Sequence, residues 1–284
     1  MEFSEMQFLV AEDHAFQRRS LVRILNELGA AQVVEAADGN AAFSAFTDFG
    51  RPLDIIICDL DMPGMNGMEL MWRISRTGAP AAVILVSHLG PALTASVGDM
   101  ASGYGINVIG AIEKPVTREK LLKLIGPHEK SWADVAKRTR ARIPSDELAK
   151  PAVAPVKSDA MFAGEAPVAS LNVSGDDPID WRAFREMWTL DEAGERELLR
   201  DMRDSNAADL KALIESFEHD ERVIIARVAH RIGGACRSVG ALQLADACAE
   251  LEYAVGKSDR MRVGYLYEIV RQEIVRLNEY LDTL

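Results

Sequence analysis

The sequence is poor in cysteine, with three in 284 residues, at positions 58, 236 and 248. Three scattered thiols cannot build a disulfide framework or a four-ligand zinc site, and Cys58 lies inside an apolar run, so all three read as reduced packing residues. Long hydrophobic runs are also missing. No stretch approaches the roughly 18 apolar residues of a membrane helix, and Glu2, Glu5, Glu12 and Asp13 interrupt the N-terminal region where an export signal would carry basic and then apolar residues. A cytoplasmic protein with no membrane insertion is the expectation. Positive charge is in deficit: 32 Lys and Arg against 44 Asp and Glu leave a net charge of -12. That balance argues against nucleic acid as a partner and against a DNA-binding output. With 48% hydrophobic and 27% charged residues the composition is that of a globular chain, long enough for two domains of about 100 to 150 residues each.

From residue 6 to about 127, short apolar runs alternate with helical patterns. Strands are expected at Gln7–Ala11, Gln32–Glu35, Asp54–Cys58, Ala82–Val86 and Asn107–Gly110. Phe8-Leu9-Val10, Ile55-Ile56-Ile57 and Val83-Ile84-Leu85-Val86 are continuously apolar, as strands covered on both faces must be. Between and after them fall helical stretches at Phe16–Leu28, closed by Gly29, then Asn40–Phe49, Gly67–Arg76, Ala92–Ser102 and Thr117–Ile125. Five strand-helix units predict an α/β fold with a doubly wound, five-stranded parallel sheet, because right-handed crossovers return a helix over the sheet after each strand.

Residues 129–175 lose this periodicity. Lys130, Lys137, Arg138, Arg140 and Arg142 make the first part basic, and four prolines with many alanines follow, the composition of a linker. Beyond Pro178 strand patterns are absent. Asp180 is placed to cap a first helix, and amphipathic stretches follow at Glu195–Phe217, Asp220–Val239, Leu242–Val255 and Asp259–Leu281, with turn signals at Gly240 and Gly256–Asp259. An all-α antiparallel helical bundle is the economical reading. The domain boundaries are therefore 1–128, a linker over 129–175, and 176–284.

Reactive residues of an open parallel sheet collect at the carboxyl ends of its strands. Glu12 and Asp13 follow the first strand, Asp59 the third, Ser87 the fourth and Lys114 the fifth. Two carboxylates 4 Å apart repel by about 4 kcal/mol at an effective dielectric near 20, so three of them invite a divalent cation. Magnesium suits oxygen ligands that leave room for water and phosphate. A carboxylate beside that ion can attack a phosphoryl group while a lysine and a hydroxyl neutralise its oxygens. The runs Leu9–Asp13, Cys58–Gly67 and Lys114-Pro115 resemble the response-regulator receiver family, whose fold is flavodoxin-like, over roughly residues 3–127. The resemblance implies that Asp59 accepts phosphate, that Glu12, Asp13, Asp59 and the Asp61 carbonyl hold Mg2+, that Ser87 and Lys114 contact phosphate, and that the bond before Pro115 is cis. It also exposes departures. Ala111 stands where receivers usually carry the aromatic residue of their conformational switch, and His88 stands where many have a small residue. Phe16-Gln17-Arg18 further resembles receivers joined to cyclic-di-GMP phosphodiesterases, although nothing downstream resembles that enzyme.

In the second domain, helical projection places His230 opposite Ile225, Val228 and Ile232, facing solvent with Arg227, Gly233, Gly234 and Arg237. Paired glycines cost roughly 0.8 to 1 kcal/mol each inside a helix, which points to a close approach by another backbone. The runs Ala229–Gly234, Val239–Leu244 and Cys248–Glu252 resemble the histidine phosphotransfer (HPt) family over roughly residues 176–284, with Gly233 where a lysine is common. The resemblance makes His230 a phosphoacceptor. Together the two domains imply a two-component phosphorelay protein, a phosphoacceptor more than a conventional enzyme, whose partners are a sensor or hybrid histidine kinase and other receiver or HPt proteins. A binding module that sequesters a kinase, or a phosphate sink hydrolysing at Asp59, are the competing functions.

Overall fold

The structure is a computed structural model, and it describes residues 4, 6–49, 53–78, 81–87, 106–126, 177–188, 190–258 and 260–284. The expected helix at Ala92–Ser102, the linker over 129–175 and His88 lie outside the described residues.

The N-terminal half runs β1 (Gln7–Ala11), α1 (Ala15–Glu27), β2 (Gln32–Ala36), α2 (Gly39–Asp48), β3 (Ile55–Asp59), α3 (Gly67–Ser75), β4 (Ala82–Ser87), β5 (Asn107–Glu113) and α4 (Arg118–Ile125). The strands form one parallel sheet in the order β2-β1-β3-β4-β5. Strand side chains alternate between faces, and the core divides accordingly. Phe8, Val10, Ile55, Ile57, Ile84 and Val86 pack on one side with Phe16 and Leu25 of α1 and Leu121 of α4. Leu9, Ile56, Cys58, Val83 and Leu85 pack on the other with Ala42 of α2 and Leu70 and Met71 of α3. Continuous apolar runs were needed because β1, β3 and β4 are buried along their whole length. The strands expected to stop at Val86 and Gly110 continue to Ser87 and Glu113, which carries the polar ends of β4 and β5 to the same edge.

The C-terminal half is helical: α5 (Trp181–Met187), α6 (Glu192–Glu218), α7 (Arg222–Ser238), α8 (Leu242–Lys257) and α9 (Arg260–Leu281). Asp180 caps α5, accepting the N–H groups of Arg182 and Ala183, as its position before the apolar pattern predicted. Gly240 turns the chain between α7 and α8 at φ +74°, and a Cβ there would strike the Asp180 carbonyl. Ile225, Val228 and Ile232 of α7, Leu244, Cys248 and Leu251 of α8, and Val270, Ile274 and Leu277 of α9 fill the bundle core. All three cysteines are free and buried. Apolar packing is continuous from the α1 side of the sheet into the bundle.

Candidate phosphoryl-transfer site

Four loops at the carboxyl edge of the sheet bring the expected side chains together. Asp59, the last residue of β3, is 5% exposed. Its Oδ2 accepts the Lys114 ammonium at 2.7 Å and its Oδ1 accepts the Asp61 backbone N–H at 3.1 Å. Lys114 follows β5 and precedes a cis peptide bond to Pro115, as expected. Its N–H is held by the Ser87 carbonyl at 2.9 Å, which ties the lysine loop to the end of β4. Ser87 itself is buried there. Gly67 opens α3 directly beneath the site, where a Cβ would enter the space of the Asp59 carbonyl oxygen.

Ligand atoms of Glu12, Asp13 and Asp59 lie within 4.8 Å of one another. Glu12 is 1% exposed, and its Oε2 forms a buried ion pair with the Lys114 ammonium at 2.8 Å. Burial pushes the Glu12 carboxyl up to about 8, the Asp59 charge adds to this, and Lys114 works against it. Asp13 is also raised, first by burial and then by the Asp59 charge, with Arg231 and Lys114 opposing. Three clustered carboxylates share the Lys114 ammonium, and the raised pKa values of Glu12 and Asp13 mark a crowding of negative charge that an added cation would relieve. The donor set, all oxygen, fits a hard divalent ion.

His230 lies on α7, and 25% of its side chain is exposed. Its Nδ1 is 3.0 Å from each Glu252 carboxylate oxygen. A carboxylate only accepts, so Nδ1 carries the proton, and in the neutral ring Nε2 keeps the lone pair. Burial pushes the imidazole pKa down, but the hydrogen bond and charge of Glu252 outweigh it, and the net shift is upward.

The two halves of the chain meet at these groups. Glu12, Asp13, Gln17, Asp59, Asp61 and Lys114 from the sheet domain and Arg227, His230 and Arg231 from the bundle line one narrow cleft. His230 therefore faces the carboxylate edge of the sheet, not open solvent as helical projection implied.

The expectation for the glycines needs correcting in part. Gly233 and Gly234 are buried in the bundle, not on the face of His230. A Cβ on Gly233 would come within 3.2 Å of the Cys248 Cβ and 3.5 Å of the Ala245 carbonyl, so the close backbone approach is real but it is made by α8. Ala111 is a partly buried residue of β5 opposite Leu85, packed with the α2–α3 side of the core. No side chain there can swing as an aromatic would. Glu252, His14 and Asp209 were not singled out from sequence. Glu252 lies within the Cys248–Glu252 run, but its role depends on α7 and α8 packing side by side.

Residues 8–126 match the family model described as response regulator receiver domain, and residues 197–283 match that described as Hpt domain. The chain is similar to the cyclic di-GMP phosphodiesterase RocR of Pseudomonas aeruginosa, 32% identical over 143 residues, which are 50% of this chain and 36% of that protein. It is similar to the Regulator of RpoS of Escherichia coli K12, 34% identical over 110 residues, 39% of this chain and 30% of that protein. The chain thus spans about a third of the length of either relative. Among solved structures, the CheX-CheY-BeF3-Mg+2 complex from Borrelia burgdorferi matches at 26% identity and a TM-score of 0.39, covering 43% of this chain and 87% of that one. Among the described residues no helix is long and apolar enough to cross a membrane. The chain is a response-regulator receiver domain followed by an Hpt domain, the domain pair of two-component phosphorelay proteins.

Proposed function

We propose that this protein is a phosphorelay intermediate in which Asp59 accepts a phosphoryl group and His230 exchanges it. The observation that carries the reading is the shared cleft, with Asp59, Lys114, Arg227 and His230 on its walls. The receiver spans 1–128, the linker 129–175 and the HPt domain 176–284. Glu12, Asp13, Asp59 and the Asp61 carbonyl would hold Mg2+, which when bound neutralises charge on the phosphoryl oxygens.

The chain's own groups do the rest. Lys114 screens the Asp59 carboxylate and meets the oxygens of the acyl phosphate formed there, with Ser87 at the adjoining strand end. Arg227 and Arg231 add positive charge from the bundle side of the cleft, against a phosphoryl group of about -1.5 to -2. In transfer, the Nε2 lone pair of neutral His230 attacks phosphorus, the N–P bond forms, and the bond from phosphorus to the Asp59 oxygen breaks. Asp59 leaves as a carboxylate. The proton on Nδ1 stays between the phosphorylated ring and Glu252, whose charge stabilises the cationic product.

Partners follow from the chemistry: a histidine kinase upstream, and receiver or HPt domains exchanging with Asp59 and His230. Three reduced, buried cysteines fit a cytoplasmic setting. Incubating the chain with acetyl phosphate and Mg2+ tests the reading. Label on Asp59 that Asp59→Asn abolishes, followed by base-stable label on His230 that His230→Gln abolishes, is the expected result. Label lost as inorganic phosphate without reaching His230 identifies a sink, and no label at all leaves the binding module.

A further inference from the structure

The bundle is seated on α1 of the receiver through a buried polar junction that shares Gln17 and Arg231 with the transfer cleft and extends beyond it. His14 caps α1, its Nδ1 accepting the Gln17 N–H at 3.4 Å, so Nε2 carries the proton. That Nε2–H is directed at Asp209 Oδ2, 2.8 Å away on α6, with Ser205 Oγ at 3.1 Å. His14 is 2% exposed and Asp209 3%. The other Asp209 oxygen takes Arg231, the residue after His230, and a second Arg231 nitrogen stands 3.8 Å from Asp13. Gln17 Nε2 donates to the Arg231 carbonyl at 3.4 Å. Two ion pairs extend the junction along α1: Arg19 with Asp201 at 3.2 Å and Arg23 with Glu197 at 3.0 Å.

The contacts between α1 and the bundle join residues 174 to 214 positions apart in one chain. A buried carboxylate with two donors, one from the opposite domain and one from the helix of His230, fixes orientation as well as proximity. The same seat places Arg227, His230 and Arg231 of α7 in the wall of the Asp59 cleft, on the side from which another phosphohistidine would approach. The geometry points to a cis latch: Asp209 locks the HPt bundle onto its own receiver, so that phosphate on Asp59 passes to His230 of the same chain and exchange with other proteins requires the latch to open. This deepens the proposed relay and rests on it. The transfer step is the one written above, with Asp59 as leaving group and His230 Nε2 as nucleophile.

Full-length chains test it. His230→Gln protein is labelled on Asp59 with radioactive acetyl phosphate, desalted and mixed with Asp59→Asn protein, and base-stable label crossing to the second chain is followed. Wild-type chain labelled the same way reports internal transfer. The latch predicts internal transfer at a rate unchanged over about a hundredfold dilution, since tethering and not bulk concentration sets the encounter. Crossing between chains is slow, and Asp209→Ala in both chains raises it, because removing one partner of a buried charged junction shifts docking on the order of a hundredfold. Arg19→Glu with Arg23→Glu opens the seat from its exposed rim without touching the buried pair, and adding Asp201→Arg with Glu197→Arg closes it again. Hydrogen exchange of the α1 amides reports docking independently of chemistry: protection falls in the opened variants and returns in the charge-swapped one. Crossing as fast as internal transfer, internal transfer that slows with dilution, or α1 protection indifferent to Asp209→Ala and the rim variants would overturn the latch while leaving the relay standing. Asp59 label that never becomes base-stable in any chain overturns relay and latch together.

Discussion

Replacing Glu252 with glutamine isolates what the carboxylate does for His230. The amide oxygen introduced by Glu252→Gln still accepts from Nδ1, so ring orientation survives, and only the negative charge is removed. Both Glu252 oxygens are 3.0 Å from Nδ1, but 41% of the Glu252 side chain is exposed, so solvent screening applies. A charge-assisted hydrogen bond of about 1.5–3 kcal/mol discounted toward the exposed-pair range leaves about 1 kcal/mol. That corresponds to roughly a fivefold slower transfer from Asp59 at the high-pH plateau, where the developing phosphoimidazolium loses its counter-charge. The pH profile moves as well. Because the folded imidazole titrates above its ordinary 6.5, the stability gained from the pair is complete below that value and is lost as pH rises through the raised pKa. Transfer needs the neutral ring and so rises with pH through that same raised value, whereas in Glu252→Gln the rise shifts to lower pH. Histidine ring-proton NMR titrations and base-stable label measured across pH check both. A variant that titrates and transfers like the wild type would refute the assigned role of Glu252.

Three further outcomes follow from the receiver. Lys114→Met leaves Asp59 and Glu12 buried without their ammonium and costs about 3–5 kcal/mol, read as a lowered Tm that Mg2+ partly restores. For Glu12, raised from 4.5 to about 8, the fold binds the proton more tightly than the unfolded chain does; the metal-free protein therefore loses stability as pH rises between those values, and the Tm gain from Mg2+ grows over the same interval. A flat Mg2+ response across that interval contradicts the metal assignment. Gly67→Ala forces a Cβ against the Asp59 carbonyl, costs about 1–3 kcal/mol in denaturant unfolding, and slows labelling of Asp59, whereas Gly126→Ala, with open space around its Cβ and a helical backbone, leaves labelling unchanged.

The receiver was legible because its chemistry coincides with its backbone rules. Each reactive residue stands at or just after a strand end, and strands such as Ile55–Asp59 announce themselves by an apolar run stopped by a charge. The same logic set Asp180 at the start of α5 and Gly240 at the turn before α8. The bundle yielded less. Helical projection sorts residues around one axis but does not say what covers each side, so it puts Gly233 on the exposed face although α8 packs on it, and His230 toward solvent although the receiver stands over it. His14, Ser205 and Asp209 gave no signal because their meaning lies in a contact between domains: a histidine after Glu12-Asp13 and an aspartate within a polar helix are ordinary until one is found buried against the other.

Phosphorus NMR of the full-length chain given acetyl phosphate and Mg2+ bears most directly on whether Asp59 and His230 form one relay. An acyl phosphate resonance that gives way to a phosphoramidate resonance is the predicted course, with neither formed in Asp59→Asn and only the first in His230→Gln. A phosphoramidate formed in Asp59→Asn as readily as in the wild type, or an acyl phosphate that decays to inorganic phosphate alone, would contradict it.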